Sequence, residues 1–310
     1  MKIIFMGTPE FAVSTLEGLI KGGHEVVLVV TQPDKPKGRG GQMQLTPVKE
    51  AAISHNIPVY QPMRIREAES VELLRNYNPD AIVVTAFGQI LSKEILEVPK
   101  YGCINVHASL LPKYRGAAPI QWAIIDGEKE TGITTMLMDV GLDTGDMLDK
   151  AIVSIDKRET GGSLHDKLAK LGGDLILKTL EKLENGTAIR EKQDDALSCY
   201  AKMLSKELGN INFEQSAVEI ERLVRGLNPW PSAYTKLNGK TLKIWETVSQ
   251  EAIFDGKAGE IVSVTKDEII VMTGNGQLVI KELQLEGKKR MKTQDFLRGY
   301  PLQKGECLPC

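Results

Sequence analysis

Lys2-Ile3-Ile4-Phe5-Met6-Gly7-Thr8-Pro9-Glu10-Phe11 opens the chain with an unbroken apolar run that stops at a glycine turn. A run without polar alternation is the pattern of a strand buried on both faces. The same grammar recurs outward from it. EVVLVV (25–30), DAIVVTAF (80–87), CINVHAS (103–109) and GITTMLMD (132–139) are further strand runs, and amphipathic stretches such as VSTLEGLIKGG (13–23) and ESVELLRNYN (69–78) stand between them. Strands alternating with helices predict a doubly wound α/β domain on a mostly parallel, Rossmann-like sheet.

The glycine turn invites a dinucleotide-binding reading and fails it. Pro9 and Glu10 stand where G-x-G-x-x-G needs its second glycine, so the backbone cradle for a pyrophosphate is not provided in that form. Farther on, Leu164, Leu168, Leu171, Leu175, Ile176, Leu180 and Leu183 recur at helical spacing, and Gly186 sits where a C-cap glycine belongs. One long helix closes this part.

After Glu191–Ser198 the pattern changes. A helix from about Ser216 to Leu227 is followed by short β runs punctuated by Asn238-Gly239 and Asn275-Gly276, which are hairpin signals. A small antiparallel, OB-like β-barrel is expected. The division that follows is 1–189, a linker at 190–205, and 206–310.

Composition bounds the rest. The 310 residues are 42% hydrophobic and 26% charged, with a formal net charge of -2, so a polyanionic partner would have to be held by local basic patches. The four cysteines are too sparse for a disulfide framework, and no run approaches the ~20 apolar residues of a membrane span. A cytoplasmic protein without a membrane role is expected. His24, His55 and His165 have no metal-ligand spacing, so no metal is expected. The terminal Cys307-Leu308-Pro309-Cys310 is expected to be two free thiols on a fraying tail.

The chemistry-bearing residues lie at a strand end. Asn105 and His107 alternate with Ile104 and Val106, so both face one side and point toward the crevice outside the carboxyl ends of the strands. A rigid turn, Ser109 to Pro119, leads on into a helix. Met138 to Asp146 is an acid-rich loop jointed by Gly141 and Gly145; it does not match a calcium loop and reads better as a carboxylate brought to a histidine. Its three acids are Asp139, Asp143 and Asp146. A second unusual loop, Asp34 to Gln42, is basic, glycine-rich and longer than the ~2–6 residues of an ordinary strand-to-helix connection.

Asn105-Val106-His107 with Ser109-Leu110-Leu111-Pro112, then Gly116-Ala117-Ala118-Pro119 and Gly141-Leu142-Asp143-Thr144-Gly145, resembles the 10-formyltetrahydrofolate-dependent formyltransferases. Asn228-Pro229-Trp230-Pro231-Ser232-Ala233 and Phe5-Met6-Gly7-Thr8-Pro9-Glu10-Phe11 narrow the resemblance to the methionyl-tRNA formyltransferases within that family. It covers nearly the whole chain. It implies a catalytic trio of Asn105, His107 and Asp143, and a folate-binding turn at Ser109, Leu110, Leu111 and Pro112. Phe87, Gly88, Gln89, Ile90 and Leu91 would supply part of the pteridine slot. It implies formyl transfer from 10-formyltetrahydrofolate to initiator methionyl-tRNA by a monomer. Arg39 and Lys37 in the basic loop would meet the tRNA, with Lys206, Lys288, Lys289, Arg290 and Lys292 on the C-terminal barrel. Glycinamide ribonucleotide and sugar-nucleotide formyltransferases, or a formyltetrahydrofolate hydrolase, would share the donor site.

Overall fold

The protein's structure, a computed structural model, describes residues 1–37, 42–251 and 256–309. Among these, contacts gather the chain into one unit of Met1–Pro119, Thr131–Val153 and His165–Ala201 and a second of Ile120–Glu130, Ser154–Leu164 and Lys202–Cys310. Two short segments, Ile120–Glu130 and Ser154–Leu164, thus group with the C-terminal part.

The first unit begins with β1 (Lys2–Gly7), α1 (Glu10–Lys21) and β2 (Glu25–Val30). The stretch read as a long basic loop is framed by a small antiparallel ribbon, β3 (Lys35–Lys37) with β4 (Gln42–Gln44). Then come α2 (Pro47–Ser54), β5 (Val59–Tyr60), α3 (Ala68–Asn76), β6 (Ala81–Thr85), α4 (Lys93–Leu96), β7 (Cys103–His107) and β8 (Arg115–Gly116). After α5 (Pro119–Ile125) follow β9 (Glu130–Leu137), β10 (Met147–Ser154) and the long α6 (Gly161–Glu184), with Gly186 left-handed just beyond its end.

Seven strands make one sheet in the order β10-β9-β7-β6-β1-β2-β5. The pairs β1–β2, β1–β6, β2–β5 and β6–β7 are parallel, and β9 runs antiparallel to β7. The mostly parallel sheet is therefore borne out, with an antiparallel margin on the β7 side. Alternation along the strands sorts the side chains. Ile4, Met6, Ile82, Val84 and Cys103 join Leu74 of α3 and Ile95 of α4 in one buried cluster, whereas Val106 faces Gly172 of α6 on the other side. Asn105 and His107 share the face of Cys103.

The second unit contains α7 (Ala217–Gly226), which starts in the capping box of Ser216 and Glu219. (The short β11, Tyr200–Ala201, precedes it in the chain and belongs to the first unit.) The strands are β12 (Ala233–Leu237), β13 (Lys240–Gln250), β14 (Ile261–Val264), β15 (Ile269–Met272), β16 (Gln277–Leu285) and β17 (Met291–Lys292), followed by α8 (Thr293–Gly299). They form an antiparallel sheet ordered β12-β13-β16-β15-β14, with β17 on β16. Asn238 and Gly239 are both left-handed, as a two-residue turn between β12 and β13 requires. At the second hairpin only Gly276 is left-handed, in a four-residue connection from Met272 to Gln277. Phe213, Ile220, Val224, Leu242, Ile244 and Ile261 centre the core.

The fraying expected at the C-terminus does not occur in the described residues. Leu308 is 2% exposed in that core, its N–H donates to the Gly259 carbonyl, and the Pro309 carbonyl accepts from Thr235 Oγ1. Burial of one leucine outweighs the freedom of a short tail. Cys307 is a free thiol, and Cys310 lies outside the described residues. Leu308→Ala should destabilise the protein by about 2–5 kcal/mol, read from the denaturant midpoint; a frayed tail would leave the midpoint unchanged.

Candidate active site

Asn105 and His107 end β7 at the carboxyl edge of the sheet, and the loop from Met138 to Asp146 brings Asp143 to them. Asp143 takes a left-handed backbone, φ 54°, uncommon for a non-glycine residue. Its Oδ1 accepts from Asn105 Nδ2 at 3.3 Å and its Oδ2 from the Gly116 N–H at 2.8 Å. His107 Nδ1 stands 3.8 Å from the same Oδ2. The His107 and Asp143 side chains are only 7% and 11% exposed. His107 Nε2 lies 2.9 Å from the Tyr114 carbonyl; a carbonyl only accepts, so Nε2 carries the proton and Nδ1 is the nitrogen turned to the carboxylate. Asn105 keeps a second amide N–H beyond the one given to Asp143. An amide donor, an imidazole and a carboxylate therefore converge at one strand end, an arrangement able to stabilise a developing oxyanion and move a proton.

The Ser109–Pro112 turn is held from below. Thr134 Oγ1 accepts from the Leu111 N–H at 3.1 Å and donates to the Ser109 carbonyl at 2.7 Å. Ser109 Oγ donates to the Lys113 carbonyl, and Leu111 packs with Met136 and Met147. Leu110 and Pro112 remain half-exposed.

In the Phe87–Leu91 loop, Phe87 and Leu91 are buried in the sheet-face cluster. Gln89 is spent on the neighbouring chain, accepting from the Ile65 N–H and donating to the Pro62 carbonyl. The Phe87 carbonyl accepts from Thr8 Oγ1 and Gln32 Nε2. Only Gly88 and Ile90 of the five are exposed, Ile90 at 78%. A cavity of about 410 Å³ is lined by Leu96, Cys103, Leu137, Met138, Asp139 and Gly145 among others, and by none of Asn105, His107 and Asp143. Burial pushes the Cys103 thiol well above its ordinary range, so it meets that cavity as a neutral, apolar group.

The Asp34–Gln42 loop lies partly beyond the described residues: Arg39 falls outside them and Lys37 ends β3. In the second unit Lys206, Lys288 and Lys289 are exposed. Arg290 pairs with Glu282 at 2.6 Å and lies over the Trp245 ring at 4.7 Å, while Lys292 pairs with Glu246 at 2.6 Å. These partners hold the Glu282 carboxyl below and the Lys292 ammonium above their ordinary ranges. Lys243 also lies over Trp245, at 5.6 Å.

Comparison with known proteins supplies the family. The formyl transferase family matches residues 1–180, and its C-terminal domain matches residues 203–301. The chain belongs to the formyl transferase family. A methionyl-tRNA formyltransferase of Agathobacter rectalis is 58% identical over 98% of both chains, and one of Alkaliphilus metalliredigens is 56% identical over 99% of this chain and 98% of its own. Among solved structures, an N-formyltransferase from Helicobacter canadensis in complex with folinic acid and dTDP-3-aminofucose superposes with a TM-score of 0.67 at 21% identity, covering 90% of this chain and 98% of its own. HypX from Aquifex aeolicus, in complex with tetrahydrofolic acid, matches with a TM-score of 0.62 at 17% identity over all of this chain and 51% of its own. These two likenesses establish the formyltransferase fold.

Sequence reasoning did not reach the groups that hold this formyltransferase's trio in place: the Tyr114 carbonyl, the Gly116 N–H, Arg115 and Gln193. Backbone groups leave no mark in a side-chain pattern, and Gln193 stands in a polar stretch without periodicity. Lys243 and Trp245 did carry a signal, since alternate residues of one strand share a face. Gly116 is required in its place. Its φ is 106°, and a Cβ there would stand 2.5 Å from the Tyr200 ring and 2.8 Å from the Ala201 carbonyl oxygen. Gly116→Ala should cost more than the about 1–3 kcal/mol of left-handed strain alone, and more than Gly186→Ala, where nothing lies within 4 Å. Paired denaturation curves check this.

Proposed function

We propose that this enzyme transfers the formyl group of 10-formyltetrahydrofolate to the α-amino group of methionine on initiator methionyl-tRNA, giving N-formylmethionyl-tRNA and tetrahydrofolate. The observation that carries the chemistry is the convergence of Asn105, His107 and Asp143 at the strand ends, with Asn105 hydrogen-bonded to Asp143 and His107 Nδ1 3.8 Å from its carboxylate. The acceptor is supported by relatives named methionyl-tRNA formyltransferase at 52–58% identity over nearly the full chain. A sugar-nucleotide acceptor has only fold-level support, at about 21% identity.

Attack of the neutral α-amine on the formyl carbon forms the new C–N bond and places negative charge on the formyl oxygen. The second N–H of Asn105 and a proton on His107 Nδ1 serve that oxygen; His107 Nε2 is already given to Tyr114. Loss of one such donor costs on the order of 10²–10³ in rate. An α-amine has a reference pKa of ~7.7–8.0, so about a tenth is neutral at pH 7. Proton removal therefore matters most once the tetrahedral intermediate makes the nitrogen acidic. Asp143, directly or through a water, takes that proton and returns one to N10 as the C–N10 bond breaks.

The folate donor would rest on the Ser109, Leu110, Leu111 and Pro112 turn. Phe87, Gly88, Gln89, Ile90 and Leu91 would bound its pteridine, with Ile90 as the exposed apolar edge. No metal is invoked. For the tRNA, Arg39 and Lys37 would meet the acceptor end, where a guanidinium can grip a phosphate or stack on an unpaired base. Lys206, Lys288, Lys289, Arg290 and Lys292 would hold the stem. Arg290 and Lys292 are partly balanced by Glu282 and Glu246, so Lys288 and Lys289 should carry more of the salt-dependent attraction. The enzyme would act as a cytoplasmic monomer, where charged tRNA is found.

Incubation with 10-formyltetrahydrofolate and methionyl-tRNA, initiator against elongator, should yield formylmethionine on the initiator; transfer to neither removes the proposal. Asp143→Asn should lower kcat by about a hundredfold or more, and an unchanged kcat in folded protein would remove its role. Arg39→Ala should raise KM for the charged tRNA and flatten its salt dependence by one phosphate contact, with no effect on a small formyl acceptor.

A further inference from the structure

The segment 190–201, expected to be a linker, is stitched to the candidate active site along most of its length. Glu191 and Met147 exchange backbone hydrogen bonds; the Arg115 N–H donates to the Cys199 carbonyl and the Ala117 N–H to the Ala201 carbonyl. The Tyr114 N–H reaches Cys199 Sγ at 3.2 Å, and β11 pairs with β8 in parallel. Gln193 is the centre of this stitching. Its Nε2 donates to the Asp143 carbonyl at 2.7 Å and to the Gly145 carbonyl at 2.9 Å, and its Oε1 accepts from Arg115 Nε at 3.0 Å. Arg115 is in turn held by Asp195 at 2.8 Å.

Only a side-chain amide offers two donors and an acceptor from one planar head. Glutamate has no donors, lysine and arginine have no acceptor, and asparagine is one methylene shorter. The two donors grip the carbonyls on either side of Thr144, so they fix the backbone of the residue whose left-handed φ aims its carboxylate at Asn105 and the Gly116 N–H. The acceptor ties that backbone to Arg115, whose neighbours supply the Tyr114 carbonyl for His107 and the Gly116 N–H for Asp143.

We infer that Gln193 is a positioning residue for formyl transfer, holding the Asp143 loop and the Tyr114–Gly116 turn in mutual register so that carboxylate, amide and imidazole meet. This rests on the reading of Asp143 as the proton shuttle. A displacement of about 1 Å in such a group costs up to about a hundredfold in rate.

The test is steady-state kinetics of the full chain with 10-formyltetrahydrofolate and initiator methionyl-tRNA. Gln193→Leu, close in shape and lacking every polar contact, should lower kcat about tenfold to a hundredfold, with both KM values within about twofold of wild type. Adding Asp143→Asn to Gln193→Leu should then cost much less than Asp143→Asn does alone, because the two act as a unit. Losses that simply multiply would overturn the inference, as would an unchanged kcat. Gln193→Glu keeps the acceptor for Arg115 and provides a second reading should the leucine variant fold poorly. Its ratio of kcat to wild type should fall as pH rises, since the neutral acid can still donate once to a carbonyl and the carboxylate cannot; a flat ratio overturns the inference. Wild-type protein inactive on both tRNAs would sink the functional reading and this inference with it, whereas active wild type with unaffected Gln193 variants sinks the inference alone.

Discussion

A carboxylate withdrawn almost wholly from water must be met by donors, and the arrangement of the site follows from meeting Asp143. Desolvation of an ionised carboxyl costs several kcal/mol unless hydrogen bonds replace the lost water. Asn105 Nδ2 and the Gly116 N–H supply them, one from a strand end and one from a turn. Each donor is fixed by a different part of the fold, so the carboxylate is located only when β7, the Tyr114–Gly116 turn and the acid-rich loop are all in register. His107 is drawn into the same arrangement, with an acceptor on each side of its ring.

Glycine and backbone groups make that convergence possible. At Gly116 the chain comes so close to Tyr200 and Ala201 that a Cβ has no room, and the same close approach pairs β8 with β11. At Gly145 a Cβ would fall 1.7 Å from the Leu137 carbonyl oxygen, so the loop bearing Asp143 folds back tightly on the end of β9. The sheet supplies rigidity, the turns supply aim, and the segment 190–201 joins the two. A site whose polar groups are held by neighbours already in place spends little reorganisation at the moment of reaction.

The formyl transferase match extends over both parts of the chain, and the likeness to solved structures at 17–21% identity shows how far sequence can drift while the sheet and its strand ends persist. The basic loop around Arg39 is only partly described, and the lysine-rich turn 288–292 proves to be a mixed surface in which Arg290 and Lys292 face glutamates and Trp245.

The sequence by itself determined the elements: the apolar runs of β1, β2, β6 and β7, the leucine spacing of α6, the Asn238-Gly239 turn and the helix beginning near Ser216. These depend on side-chain periodicity and local backbone preference, which are written in neighbouring residues. It also placed Asn105 and His107 on one face, because two-residue alternation is a local pattern; Asp143 was set apart from Asp139 and Asp146 only by the resemblance of its motif. Only the tertiary structure decided that Glu191 to Ala201 is bound to the site rather than spanning a gap, that Leu308 is core, that Phe87 and Leu91 are buried while Ile90 is not, and that the Tyr114 carbonyl and Gly116 N–H complete the polar group. Those are long-range contacts made largely by main-chain atoms. Every residue carries the same main chain, so no reading of residue types reveals which of them will meet.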